Sequence, residues 1–290
     1  MLPDDEKESS MPPPDPGFRE EFCLQEEHRD FNFHIDTCTA FADLSSTLPP
    51  SPLSILKMVS FTAAVLLAAG ALATPLENQP RQANCPSIHI FGARETTVPP
   101  GMGTAGGIVQ SIVQAHPGAT SEAIDYPACG GQSNCGGVQY GDSVKAGTAA
   151  AAKAVNDFNA RCPDTQIVLI GYSQGGQIFD NAICGGGDSN SGISDTSIPI
   201  SEAAQKMVKA AIFCGDPRHI AGLAYAVGTC QASGFAPRPS GFVCPHADKV
   251  QLYCDSTDPY CCNGNDANSH QQYGNKYGSQ ILSFVNARLT

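Results

Sequence analysis

Residues 166–183 read Gln-Ile-Val-Leu-Ile-Gly-Tyr-Ser-Gln-Gly-Gly-Gln-Ile-Phe-Asp-Asn-Ala-Ile. The run 166–170 is apolar and β-branched, as expected of a strand buried on both faces of a parallel sheet. Helical spacing begins at Gln174 and is predicted to continue to about Ile183. Between them lies Gly171-Tyr172-Ser173-Gln174-Gly175. A Gly-x-Ser-x-Gly pattern alone is weak, but a strand before it and a helix after it supply the context that gives it meaning. A sharp strand-to-helix turn strains the serine backbone, and side chains at 171 and 175 would collide across it. The turn lifts the Ser173 hydroxyl above the sheet and points the next helix N-terminus toward it. The Gln174 amide can then donate to an oxyanion. The bland alternative is a plain strand–turn–helix with an exposed serine.

Working outward, the pattern keeps alternating. Strands are predicted at 87–91, 123–126, 210–213 and 250–253, and helices at 106–115, 143–160, 201–208 and 278–288. Such alternation argues for a mostly parallel sheet covered on both faces. Glycine-rich stretches at 130–137 and 185–187 read as loops, and no internal repeat or linker to a second module is visible.

The chain has 290 residues, a net charge of -12 and 13 cysteines. The acidic excess is concentrated in residues 1–57, and the remainder is only mildly acidic, so nucleic acid is not an expected partner. Eleven cysteines lie between Cys85 and Cys262, without a repeated metal-ligand spacing. Disulfides are the better reading, and they imply an oxidising compartment. Residues 58–73, an apolar run after Lys57 that ends in Ala71-Leu72-Ala73, have the form of a secretory signal peptide. A membrane span needs about 20 apolar residues, and Thr74-Pro75 ends this run first. The expected organisation is therefore an N-terminal extension or gene-model artefact at 1–57, a signal peptide at 58–73, a short pro-segment at 74–84 and a catalytic domain at 85–290. The mature form is expected to be extracellular, monomeric and free of membrane. No Asn-x-Ser/Thr acceptor is present.

A serine nucleophile needs a base, and the base needs an orienting acid. His89 falls within a predicted strand and His116 at a helix end, which leaves His219, His246 and His270. The order Ser, acid, His along α/β-hydrolase chains favours His270, the last histidine. Acid candidates are Asp216, Asp248, Asp255, Asp258 and Asp266. Asp258 lies between Cys254 and Cys261, which could staple its loop, while Asp216 ends a strand; spacing favours Asp258 and leaves Asp216 open.

From Cys85 to the C-terminus the chain resembles the fungal acetylxylan esterases of the cutinase-like serine esterase family (carbohydrate esterase family 5 type). The segments that carry the likeness are CPSIHIFGARETT at 85–97, YPACGGQ at 126–132, GYSQGG at 171–176, CGGGD at 184–188 and CDSTDPYCCNG at 254–264. The resemblance implies a lidless α/β-hydrolase, a three-layer sandwich around a mostly parallel sheet, stapled by disulfides. It maps the triad onto Ser173, Asp258 and His270 and places Thr96 beside Gln174 in the oxyanion hole. It also implies the pairs Cys85–Cys162, Cys254–Cys261, Cys129–Cys135, Cys184–Cys244 and Cys230–Cys262. Cys214, inside an apolar strand, is left over as a buried free thiol.

The implied activity is that of a carboxylic ester hydrolase, an acetylxylan esterase, acting on acetylated polysaccharide with no metal or organic cofactor. Tyr260, two residues beyond Asp258, is placed to close the acyl side of the site and select for acetyl. A cutinase or general short-chain carboxylesterase is the alternative. A non-catalytic secreted binding protein is the reading from another class.

Overall fold

The computed structural model describes residues 85–290. The expectations for 1–57, 58–73 and 74–84 lie outside the described residues. Six strands form one parallel sheet: β1 (Ile88–Ala93), β2 (Thr120–Ala123), β3 (Gln166–Tyr172), β4 (Val208–Cys214), β5 (Ala226–Val227) and β6 (Val250–Tyr253). Their order across the sheet is β2-β1-β3-β4-β6-β5. β1 and β3 are buried at every position, which is why their sequences are apolar runs and not alternating ones.

Five helices connect and cover the strands: α1 (Ala105–Ala115), α2 (Tyr140–Arg161), α3 (Gln174–Cys184), α4 (Glu202–Met207) and α5 (Tyr273–Asn286). α1 packs with α5, and α2 packs with α3 and α4. These two groups flank the sheet as the outer layers of a three-layer sandwich. α2 turns Val144, Ala151, Val155 and Phe158 inward. α3 is buried along its whole length although it carries Gln174, Gln177, Asp180 and Asn181. Those polar groups are matched by two buried arginines. Arg238 Nε donates to Asp180 at 2.9 Å, and Arg218 donates to Asp188 at 3.0 Å. Asp188 also accepts from Gln177 and Asn181.

The chain steps from β1 outward to β2, then back across β1 to β3, so the direction of winding reverses between β1 and β3. In an open parallel sheet the crevice beyond the carboxyl ends of those two strands is where ligands bind. Ala93 and Tyr172 end the two strands, and Thr96 and Ser173 follow them.

The elements differ from the sequence expectation in three places. β2 forms at Thr120–Ala123, ahead of the predicted 123–126. Ile124 and Tyr126 are buried just beyond its end, so their apolar signal marks core contact and not strand. β5, two residues at the sheet edge, had no prediction. α5 begins at Tyr273, five residues before the predicted start, because its first turn carries the aromatic residues that pack beneath the site. No helix among the described residues is long and apolar enough to cross a membrane.

Candidate active site

Ser173 sits between β3 and α3 with φ 51° and ψ -118°. Holding a non-glycine residue in such a region costs on the order of 1–3 kcal/mol, so the surrounding fold must impose it. The Ser173 amide donates to the Cys214 carbonyl at 2.7 Å, and its carbonyl accepts from the Gln177 amide at 3.0 Å. A Cβ at Gly171 would lie 2.3 Å from the Gly175 carbonyl oxygen. One at Gly175 would lie 2.2 Å from that of Ala93. β1, β3 and α3 therefore meet too closely for any side chain at either glycine. Gln174, the first residue of α3, leaves its amide without an intrahelical acceptor at the positive end of the helix. Its side chain is fixed beneath the turn. Oε1 accepts from the Ser143 hydroxyl at 2.8 Å, and Nε2 donates to the Cys129 carbonyl at 3.1 Å.

Thr96 lines the same cleft from the loop after β1. That loop is organised by Arg94, which is buried although it is charged. Its guanidinium donates to the carbonyls of Val98 at 2.9 Å and Tyr126 at 2.6 Å. The Tyr126 hydroxyl returns a bond to the Arg94 carbonyl at 2.6 Å. Glu95 then accepts from the Thr104 amide at 3.0 Å and ties the loop to the start of α1.

His270 Nδ1 is hydrogen-bonded to Asp258 Oδ2 at 2.7 Å. The other carboxylate oxygen accepts from the amides of Tyr260 at 2.7 Å and Cys261 at 3.2 Å. The Tyr273 hydroxyl donates to Oδ2 at 2.7 Å. Burial alone would raise the Asp258 pKa, but the bonds from His270, Tyr260 and Tyr273 outweigh it and hold the carboxyl below its ordinary value. Asp258 is thus an ion locked in place. Tyr172, next to Ser173 in the chain, donates its hydroxyl to the His270 carbonyl at 2.6 Å.

Ser173, His270, Thr96 and Tyr260 all line one open cleft of about 370 Å³. The Tyr260 ring lies 4.6 Å from the His270 ring, centroid to centroid. Asp216 is engaged elsewhere: its Oδ1 accepts from the Arg218 amide at 2.9 Å, and it packs beneath Gly176. Asp255 is bonded to Lys276 and Tyr277, and Asp266 accepts from the Asn268 amide. Asp248 lends Arg288 only its carbonyl. Among the other histidines, His89 stacks on Phe158, His116 meets Asn286 and His246 meets Gln205. His219 has Cys230 and Cys254 within 4.8 Å, but both sulfurs are in disulfides and do not offer a metal site.

The structure pairs Cys85–Cys162, Cys129–Cys135, Cys184–Cys244, Cys230–Cys262 and Cys254–Cys261. Cys214 is free and buried. Two of these bonds, Cys254–Cys261 and Cys230–Cys262, hold the loop that carries Asp258 and Tyr260. Sequence reasoning missed the supports: Arg94, Ser143, Tyr172 and Tyr273. A readable signal existed for Tyr273, which follows His270 by three residues and begins the helix after it.

A strained serine turn on a parallel sheet, with a buried aspartate–histidine pair in the same cleft, defines the α/β-hydrolase class. The chain belongs to the cutinase family, whose profile matches residues 84–289. It is 58% identical over 229 residues to acetylxylan esterase 2 of Talaromyces purpureogenus, covering 79% of this chain and 98% of that one. It is 61% identical over 228 residues to cutinase 11 of Verticillium dahliae, covering 79% and 77%. The catalytic core domain of the acetyl xylan esterase from Trichoderma reesei is similar in structure, with a TM-score of 0.70 and 61% identity. That match covers 71% of this chain and all of the other.

Proposed function

We propose that the chain is a secreted serine esterase that removes acetyl groups from acetylated xylan. Ser173 is the nucleophile, His270 the general base and then acid, and Asp258 the group that orients the imidazole. The carrying observation is the Asp258–His270 hydrogen bond in the cleft that also presents Ser173 on its strained turn. With Nδ1 committed to Asp258, Nε2 takes the Ser173 proton as Oγ attacks the ester carbonyl. Thr96 and the Gln174 amide donate to the oxyanion, each donor contributing on the order of 3 kcal/mol to the transition state. As the acyl carbon–oxygen bond breaks, the imidazolium gives its proton to the departing sugar oxygen, which leaves as a hydroxyl. Water activated by the same nitrogen then releases acetate and restores Ser173.

Tyr260 supports acetyl as the acyl group, since its ring crowds His270 where a longer chain would run. The names of the Talaromyces and Trichoderma relatives support xylan as the alcohol. Five disulfides support an oxidising compartment, hence export through residues 58–73 and a mature domain over 85–290. The Verticillium relative, named a cutinase, favours a second reading with longer acyl chains. Acetate release from acetylated xylan tests the first. Ser173→Ala is expected to lose on the order of 10⁶-fold in kcat. Faster hydrolysis of esters longer than butyryl than of acetyl esters would establish the second reading instead.

A further inference from the structure

Phe235 is about half exposed, at 52%, whereas the other large aromatics among the described residues are mostly sealed. It lines the cleft that holds Ser173 and His270. Its neighbours Gly234 and Ala236 are buried, so the chain turns this one ring outward. The segment is also firmly held. The Phe235 amide donates to the Tyr260 carbonyl at 3.1 Å, and the Gly234 and Ala236 amides donate to the carbonyls of His219 and Pro217. Cys230–Cys262 ties the segment to the loop of Asp258. The ring itself meets Tyr140 edge-on, with centroids 5.3 Å apart, and the Tyr140 hydroxyl is anchored on Gln177 at 2.7 Å.

An exposed, rigid phenyl in a cleft is a binding element, since burying it would lower the free energy of a bound state and leaving it in water would not. The surroundings decide what it takes. A long acyl chain needs a continuous apolar wall, but the cleft around Phe235 is also lined by Gln132, Gln271 and Thr97. An apolar ring beside carboxamides and hydroxyls suits a neutral sugar, with its C–H face on the phenyl and its hydroxyls on groups that both donate and accept.

We propose that Phe235 is a specificity-determining residue that stacks on a sugar ring of the polysaccharide, on the alcohol side of the ester. This rests on the reading of the chain as an esterase of acetylated xylan. A small ester such as methyl acetate has no ring on its alcohol side to place on the phenyl, so the two substrates separate the roles.

Phe235→Ala is expected to raise KM for acetylated xylan about tenfold with kcat little changed. Its kinetics on methyl acetate and its Tm should change no more than those of Val243→Ala, an exposed apolar residue outside the cleft lining. Phe235→Tyr and Phe235→Trp should restore the polymer KM. An unchanged polymer KM, or equal loss on both substrates, would overturn the proposal. So would a change in preference between 4-nitrophenyl acetate and hexanoate, which would put Phe235 on the acyl side. A wild-type enzyme that releases no acetate from xylan would instead defeat the parent reading, and the two failures are told apart by the wild-type control.

Discussion

The Tyr273 hydroxyl accepts from the Asp255 amide at 3.0 Å and donates to Asp258 Oδ2 at 2.7 Å. It is a positioning group, one bond removed from the imidazole. Removing it leaves a buried N–H unpaired and takes one donor from a buried carboxylate, together costing about 1.5–3 kcal/mol. Tyr273→Phe should therefore lower Tm by several degrees and kcat by about tenfold, with KM for a small acetyl ester unchanged. Steady-state kinetics and a melting curve check both. At this scale the strand-to-helix turn at Ser173 was legible because the apolar period changes on either side of it. Chain order singled out His270, which lines the same cleft. Spacing favoured Asp258 but left Asp216 open, because each follows a strand of the sheet. The difference is spatial: the His270 ring packs against Gly215, where a Cβ would lie 2.6 Å from Cε1, yet the carboxyl one residue later is bonded to Arg218. The buried Arg94 was missed for the same reason, since nothing local says which carbonyls a guanidinium will reach.

Loops joining the elements are held by disulfides whose spans differ greatly, and their effects should differ in kind. Cys85–Cys162 closes a separation of 77 residues, from the entry to β1 to the end of α2. Cys254–Cys261 closes only 7, around Asp258. Loop-closure entropy gives about 4–5 kcal/mol for the first and about 2 kcal/mol for the second. Replacing both cysteines of the first pair by alanine should lower stability strongly and leave the turnover of the folded fraction intact. The same change in the second pair should cost less stability but more kcat, because it frees the backbone amides of Tyr260 and Cys261 that hold Asp258. Denaturant titration beside kinetics separates the cases. Elements with a buried face were legible: β1, β3, β4, β6 and α2 show the periods their burial demands. β2 and β5 were not, because an edge strand of Thr-Ser-Glu-Ala or of two residues carries no burial pattern to read.

For the whole domain, two buried groups set the response to pH and to redox chemistry. His89 on β1 bonds Thr120 of β2 at 2.6 Å and stacks on Phe158 of α2, so it is sealed where three elements meet. Burial, with Arg161 adding to it, pulls its pKa from 6.5 to about 4, and Glu122 at 3.7 Å does not reverse this. Between pH 6.5 and 4 the unfolded chain binds a proton here that the folded one refuses. Stability contributed by this site is complete above pH 6.5 and falls as the pH drops toward 4. His89→Phe should therefore flatten the slope of Tm against pH within that window, and an unchanged slope would assign the acid sensitivity to other groups. Cys214 is the other group. It stands on β4 beside the Ser173 turn, its carbonyl bound to the Ser173 amide and its thiol pushed far up by burial. In the finished fold it is inert. During oxidative folding it is not, because an odd cysteine guarantees that every pairing leaves one thiolate to attack a wrong bond. The chain thus carries its own reshuffling reagent, and docking of β4 into the sheet withdraws that reagent once the correct bonds are made. Scrambled wild-type domain should recover native pairing without added thiol, whereas scrambled Cys214→Ala should stall until thiol is supplied.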